Sequence, residues 1–151
     1  MGHEIRPATE ADVQAILVLT ARMHTESPRY SKHGFAVDKA EQLIRFLIAN
    51  QVVFVADRDA ELIGFFAGVI TEHYLSLDKY ATDIGVYVTP EHRGGSTFAR
   101  LVFAFEKWAK EHGVRELVLG VSTEIHADKT VRMYERMGYR ISSFGLIKAG
   151  E

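Results

Sequence analysis

Residues 93–97 carry the densest set of groups that could bind an anion. They comprise an arginine, two glycines and two hydroxyl side chains, in the order Arg93, Gly94, Gly95, Ser96 and Thr97. They stand between a hydrophobic strand pattern and an amphipathic helical pattern. At a helix N-terminus, unpaired N–H groups and the helix dipole attract negative charge. The segment therefore predicts a phosphate-binding turn, the alternative being an ordinary loop with a Ser or Thr helix cap.

Other kinds of chemistry are disfavoured by composition and spacing. The turn has the spacing of neither a Walker P-loop nor a nucleophile elbow. The absence of cysteine excludes disulfides, thiolate metal sites and cysteine nucleophiles, and it suits the reducing cytoplasm. A net charge of -2 argues against a nucleic-acid partner. The seven histidines are scattered and no apolar run approaches the ~20 residues of a membrane span, so we expect no metal, no membrane partner and a cytoplasmic location.

Hydrophobic periodicity predicts the elements that must position this turn. The predicted strands are residues 4–7, 52–56, 62–70, 82–88 and 116–121, with a final strand or strand pair at 139–147. The predicted helices are residues 10–23, 38–48, 97–112 and 129–137. The strand, helix and strand of residues 82–121 imply a parallel pair, and the tight turn at 57–60 implies an antiparallel pair. We therefore expect a mixed sheet in one domain spanning residues 1–151.

Three segments, in this order and spacing, resemble the GCN5-related N-acetyltransferase superfamily. They are Ile-Arg-Pro-Ala-Thr-Glu-Ala-Asp at residues 5–12, Pro-Glu-His-Arg-Gly-Gly at residues 90–95 and Met-Tyr-Glu-Arg-Met-Gly-Tyr at residues 133–139. The resemblance implies an α/β (α+β) fold with a mixed, mostly antiparallel central sheet, a splayed parallel strand pair and about four flanking helices. It also implies acetyl-coenzyme A (acetyl-CoA) wedged between the splayed strands, and a homodimer.

The resemblance assigns cofactor-binding roles residue by residue. The pyrophosphate loop of the family falls on Arg93, Gly94, Gly95, Ser96, Thr97 and Phe98, and the thioester carbonyl is expected against backbone N–H groups of Val86, Tyr87 and Val88. This sequence departs from the family pattern at Ser96, at Phe98 and at Ala127, where the family often has Asn. The hydrogen bond of that Asn is expected either to be lost or to pass to Asp128 or Lys129.

The implied reaction is acetyl transfer from a thioester to an amine. The resemblance makes Tyr134 the general acid that protonates the leaving thiolate, whereas on pattern alone Tyr134 could simply belong to the apolar face of the last helix. Asp83 is our first choice for the base, with Glu72, His73, Glu124 or a water chain as alternatives. Strand alternation places the even-numbered residues of 82–88 on one face and Asp83 with Tyr87 on the other. Without cysteine, no acetyl-cysteine intermediate can form, which favours direct attack in a ternary complex.

The acceptor is expected to be a small-molecule or protein amine bound between two loops, residues 25–37 and 71–81. These loops and their flanks supply polar and aromatic side chains, namely His24, Glu26, Tyr30, His33, Glu72, His73, Tyr74 and Asp78. Two other functions remain open at this stage. One is a non-catalytic acyl-CoA binding or sensing module on the same fold, and the other is a generic phosphate-binding α/β domain.

Overall fold

A five-stranded sheet flanked by four α-helices makes up the computed structural model, which describes residues 2–150. Short 3-10 turns cover Glu10–Asp12, Tyr30–Lys32 and Pro90–His92. The strands and helices are, in chain order, β1 (Glu4–Pro7), α1 (Val13–Glu26), α2 (Val37–Asn50), β2 (Val52–Arg58), β3 (Glu61–Glu72), β4 (Lys79–Val88), α3 (Thr97–Glu111), β5 (Leu117–Val118) and α4 (Ala127–Arg136).

The sheet is mixed, as the sequence predicted. Its strand order is β1-β2-β3-β4-β5, and every neighbouring pair is antiparallel except β4 and β5, which are parallel. The parallel pair is short, because only Ala81 pairs with Leu117 and Thr82 with Val118. Beyond Thr82 the two strands separate, which confirms the expected splayed pair.

Helices cover both faces of the sheet and bury two apolar clusters. On one face, α3 inserts Leu101, Val102 and Phe105 against the sheet, and the Phe105 ring stacks on Phe66 with centroids 4.4 Å apart. On the other face, α1 and α2 pack on β2, β3 and β4. Burying each such aromatic side chain contributes about 1.5–3 kcal/mol, so the two layers hold the sheet that carries the cleft.

A β-bulge in β4 changes which residues share a face. Ala67 pairs with Gly85 and Gly68 with Asp83, so Ile84 has no partner opposite it. Because of this extra residue, side chains before and after Ile84 alternate between the two faces of the sheet in opposite register. Asp83 therefore lies on the same face as Val86, the face that α3 covers, and not on the face of Tyr87. The predicted alternation through this strand was wrong, because periodicity alone does not reveal a bulge.

The end of the chain also differs from the prediction. The strand predicted at 116–121 is reduced to Leu117–Val118, and the strand or strand pair predicted at 139–147 does not form. A β-strand is held by hydrogen bonds to a neighbouring strand. Because β5 has only two residues, it offers few backbone groups with which a further strand could pair. The side chains of Phe144 and Leu146 are instead 84% and 95% exposed.

The remaining boundaries move only slightly. The first helix begins as the 3-10 turn Glu10–Asp12 and continues to Glu26, and α4 begins at Ala127 rather than at residue 129. Within residues 2–150, no helix is long and apolar enough to cross a membrane.

Gly68 provides a test of the packing between β3 and α3. A Cβ atom at this position would lie 2.3 Å from Cε1 of Phe105 and 3.0 Å from the carbonyl oxygen of Thr82. We expect Gly68→Ala to lower the free energy of unfolding by about 1–3 kcal/mol, because the core must shift to make room. Chemical denaturation measures this. In the matched control Gly85→Ala the new Cβ meets only ordinary contacts at 3.6 Å, and an equal loss in both variants would contradict the packing argument.

Candidate active site

A cleft of about 760 Å³ opens where β4 and β5 separate. Its walls are the end of β4, the turn before α3, the segment that follows β5, and one face of α4. The lining residues are Met23, Tyr30, Asp83, Ile84, Gly85, Val86, Tyr87, Val88, His92, Arg93, Gly94, Gly95, Phe98, Ala99, Gly120, Val121, Ser122, Thr123, Ile125, His126, Lys129, Thr130, Met133, Tyr134, Arg136 and Met137.

The turn before α3 presents backbone N–H groups to this cleft. Gly94 has a φ of 92°, a left-handed conformation that favours glycine, and Gly94, Gly95 and Phe98 line the cleft. In the described part of the chain, no protein group accepts a hydrogen bond from the N–H groups of residues 94–99. Unpaired donors at the N-terminus of a 15-residue helix form a site suited to an anion.

Arg93 also lines the cleft, but its guanidinium is already engaged. Nη1 and Nη2 donate to the two carboxylate oxygens of Glu26 at 2.6 and 2.9 Å, and Nε donates to the carbonyl oxygen of Val88 at 2.9 Å. The positive charge of Arg93 is therefore already paired with a carboxylate of the protein. The pairing with Arg93 also holds the pKa of Glu26 below its ordinary value.

The two hydroxyl side chains of the turn do not line the cleft. Ser96 is exposed and makes no capping hydrogen bond, so the helix cap considered from the sequence does not form. Thr97 is buried, and its Oγ1 lies 3.0 Å from Nε2 of His3. Within this segment, Gly94, Gly95, Phe98 and Ala99 line the cleft, whereas Ser96 and Thr97 do not.

Phe98 occupies a position where the family pattern has a small residue. Its ring contacts that of Tyr134 edge to face, with centroids 5.3 Å apart, and from the first turn of α3 it packs against the apolar core. The ring forms part of the cleft wall next to Tyr134.

Tyr134 lies on α4 and lines the cleft with a side chain that is only 6% exposed. Among the described residues its hydroxyl has no hydrogen-bond partner, but the hydroxyl oxygen is accessible to solvent. Burial, and secondarily the negative charge of Asp83, raises the pKa of this hydroxyl above its ordinary value. Tyr134 is therefore protonated at neutral pH and can donate a hydrogen bond or a proton into the cleft.

Asp83 lies at the point where the two strands divide. Its Oδ1 accepts a hydrogen bond from the N–H of Gly120 at 3.1 Å, across the fork. Burial raises the pKa of Asp83 to about 6, although the Gly120 hydrogen bond acts in the opposite direction. Because the bulge turns Asp83 toward the α3 face, it shares the cleft with Tyr134. A carboxylate with a pKa near 6 is mostly ionised at pH 7 and can accept a proton.

The other candidate bases do not line the cleft. Glu72 is exposed at the end of β3, His73 pairs with Glu116 at 3.1 Å, and Glu124 is exposed. Of the acceptor-site residues suggested from the two loops, only Tyr30 reaches the cleft.

Of the remaining predicted cofactor residues, Val86, Tyr87, Val88 and Lys129 all line the cleft. Sequence reasoning missed the wall formed by residues 120–126. Its position could have been inferred, since the carboxyl ends of neighbouring parallel strands border one crevice. Among residues 2–150, no group of three or more His, Asp or Glu side chains is placed to hold a metal ion.

A sequence profile of the Acetyltransferase (GNAT) family matches residues 17–139. The chain belongs to the GNAT acetyltransferase family. It is similar to an uncharacterized N-acetyltransferase, YhfO, of Bacillus subtilis (strain 168), with 26% identity over 137 residues that cover 89% of this chain and 88% of the relative.

Two solved structures share the fold of this GNAT chain. AAC(6')-Iy in complex with the bisubstrate analogue CoA-S-monomethyl-acetylneamine has a TM-score of 0.80 at 18% identity, covering 100% of this chain and 99% of the other. A predicted acetyltransferase with acetyl-CoA from Clostridium acetobutylicum has a TM-score of 0.77 at 15% identity, with 97% and 96% covered. At these low sequence identities, the structural similarity establishes only that the fold is shared.

The raised pKa of Asp83 predicts that this residue affects the stability of the fold in a pH-dependent way. A carboxyl whose pKa is higher in the folded than in the unfolded chain destabilises the fold above both pKa values, and this cost disappears below them. Asp83→Asn should therefore raise the free energy of unfolding by about 1–3 kcal/mol at pH 8, with the gain shrinking as the pH falls from 6 to 4.

Denaturation at a series of pH values measures this difference, with the exposed Asp78→Asn as the baseline for removing one carboxylate. A gain for Asp83→Asn that does not depend on pH would contradict the raised pKa.

Proposed function

We propose that this GNAT chain is an N-acetyltransferase that transfers the acetyl group of acetyl-CoA to an amine by direct attack in a ternary complex. The observation that carries the proposal is the convergence of three features on one cleft. These are the unpaired N–H groups of the lining residues Gly94, Gly95, Phe98 and Ala99, the hydroxyl of Tyr134 and the carboxyl of Asp83. They supply an anion site, an acid and a base.

The proposed donor site follows from the charge and shape of the cleft. The diphosphate of acetyl-CoA would accept hydrogen bonds from the N–H groups of the turn, and Lys129 on α4 adds a cation to the lining of the same cleft. Beyond Thr82, β4 is not paired with β5, so its edge at residues 86–88 is open toward the cleft. Backbone N–H groups at that edge are the donors that we assign to the thioester carbonyl. Losing one such oxyanion donor typically costs about 2.7–4 kcal/mol in known enzymes.

The proposed base addresses the protonation of the acceptor. A primary amine with a pKa near 10.4 is mostly protonated at pH 7, and presenting it neutral costs roughly 4–5 kcal/mol. In this proposal Asp83 accepts that proton, directly or through one water. The amine nitrogen then forms a bond to the acetyl carbon, and the carbon–sulfur bond breaks.

The proposed acid completes the proton balance. Tyr134 donates its proton to the departing thiolate, so that free CoA leaves with a thiol. The nitrogen of the new amide loses its second proton as the carbon–sulfur bond breaks. That proton returns to the Tyr134 oxygen through water, and the proton on Asp83 passes to solvent. The hydroxyl is suited to this because burial keeps it protonated and because no described protein group competes for its proton. Phe98, which packs against the Tyr134 ring, limits the positions that the hydroxyl can take.

The proposed acceptor is a small-molecule or protein amine that enters beside Met23 and Tyr30. Structures with the same fold include aminoglycoside acetyltransferases and a ribosomal-protein-alanine N-acetyltransferase, which makes both acceptor classes worth testing. The cytoplasmic location stays a prediction from the sequence.

The second candidate function is a non-catalytic acyl-CoA binding module. It is favoured by the departures from the family pattern at Ser96 and Phe98, which replace two of the small residues of the turn, and at Ala127, which replaces an Asn. The two functions differ in turnover, since only an enzyme releases CoA thiol when an amine is supplied.

Tyr134→Phe tests the catalytic proposal. With an amine acceptor found by a panel screen of thiol release, we expect kcat to fall by about 10²-fold while KM for acetyl-CoA changes little, because only the proton donor is removed. Tyr74→Phe, which removes an exposed hydroxyl, is the control and should behave as wild type. Tight binding of CoA with no acceptor-dependent thiol release, and no effect of Tyr134→Phe, would favour the binding module.

We also propose that the chain forms a homodimer through residues 140–150. Phe144, Leu146 and Ile147 are exposed in one copy, and burying each would contribute about 1.5–3 kcal/mol. We expect the wild-type chain to sediment as a dimer at micromolar concentration, and the double variant Phe144→Ser with Leu146→Ser to sediment as a folded monomer. A wild-type monomer, or a variant that remains dimeric, would contradict this.

A further inference from the structure

Glu26, the last residue of α1, accepts hydrogen bonds from two other parts of the site. Its carboxylate oxygens accept from Nη1 and Nη2 of Arg93 at 2.6 and 2.9 Å, and Oε1 also accepts from the hydroxyl of Tyr87 at 2.8 Å. The carboxylate thus joins the end of α1 to β4 and to the turn that opens α3. With three of its roughly four acceptor positions used, it is not free to bind the acceptor amine.

This pairing fixes the orientation of Arg93. A bidentate arginine–carboxylate pair is geometrically specific, and the third donor, Nε, is held by the carbonyl oxygen of Val88. The guanidinium also lies over the Tyr87 ring, 5.4 Å from its centroid. One N–H on each of Nη1 and Nη2 is left over, and Arg93 still lines the cleft.

The next residue, Ser27, connects α1 to the opposite wall. It is fully buried, and its hydroxyl donates to the carbonyl oxygen of Thr123 at 2.6 Å and accepts from the N–H of Tyr30 at 2.9 Å. Two consecutive residues at the end of α1 therefore hold the two walls of the cleft, the Arg93 turn and the segment after β5.

We infer that Glu26 is a positioning residue for the diphosphate of the donor. It holds Arg93 so that the turn keeps the N–H groups of residues 94–99 toward the cleft. The inference rests on the proposed function, because it assumes that an acyl-CoA occupies the cleft. It assigns Glu26 no contact with substrate; the residue acts through Arg93 and the turn.

The test compares CoA with pantetheine, which lacks the diphosphate together with the phosphorylated adenosine attached to it. Binding of each ligand can be measured by calorimetry or NMR titration without knowing the acceptor. We expect Glu26→Gln to weaken CoA binding about tenfold and to leave pantetheine binding unchanged, because a neutral amide cannot hold Arg93 in a charged bidentate pair. The control is Glu91→Gln, which breaks a more exposed arginine pair, that of Arg22 with Glu91 at 3.0 Å, and should bind both ligands as wild type does.

Each outcome decides a different question. Unchanged or tighter CoA binding by Glu26→Gln would overturn the inference, and so would an equal loss for both ligands, which would indicate only a structural role. Failure of the wild-type chain to bind CoA would instead overturn the proposed function. If circular dichroism shows that Glu26→Gln does not fold, Tyr87→Phe is tested in its place. It removes one of the three donors to Glu26, so a smaller loss selective for CoA is expected, and no selective loss would overturn the inference.

Discussion

The separation of β4 from β5 after Thr82 is the constraint on which the rest of the site depends. Two residue pairs hold the strands together, reinforced by the Thr82 hydroxyl, which donates to the carbonyl oxygen of Val118 at 2.7 Å. Past this point no strand among residues 2–150 pairs with the facing edge of β4. Buried backbone groups normally require a hydrogen-bond partner, so an opened parallel pair favours a ligand with polar groups along its length. The fork also brings Asp83 and the N–H of Gly120 together.

The electrostatics of the cleft differ between the turn before α3 and the strand fork. The turn supplies unpaired N–H donors and favours negative charge, whereas the buried fork disfavours the ionised form of Asp83. One cleft therefore combines a site that favours an anion with a carboxyl that can accept a proton. The hydrogen bonds of Glu26 and Ser27 hold this arrangement from the side of α1, through contacts that span 67 and 96 residues of sequence.

Local sequence signals predicted much of the fold and the location of the site. Apolar periodicity gave the strands through residue 88 and all four helices, and the glycines before α3 marked the turn, since Gly94 does adopt a positive φ. The bulge at Ile84 was not predictable, because it depends on how β4 pairs with β3 rather than on the pattern within β4. The partner of Arg93 was missed for a similar reason. Nothing near residue 93 indicates that Glu26 will occupy its guanidinium, and the expected strand at 139–147 needed an edge that the short β5 does not provide.

The position of the donor diphosphate is the most direct test of the proposed site. Titration of ¹⁵N-labelled protein with CoA, followed by amide NMR, reports on this without requiring an acceptor. We expect the largest shifts at the N–H groups of residues 94–99, and we expect pantetheine to leave those signals in place while it shifts residues 86–88. Large CoA-induced shifts confined to other parts of the molecule, with the turn signals unmoved, would contradict the account.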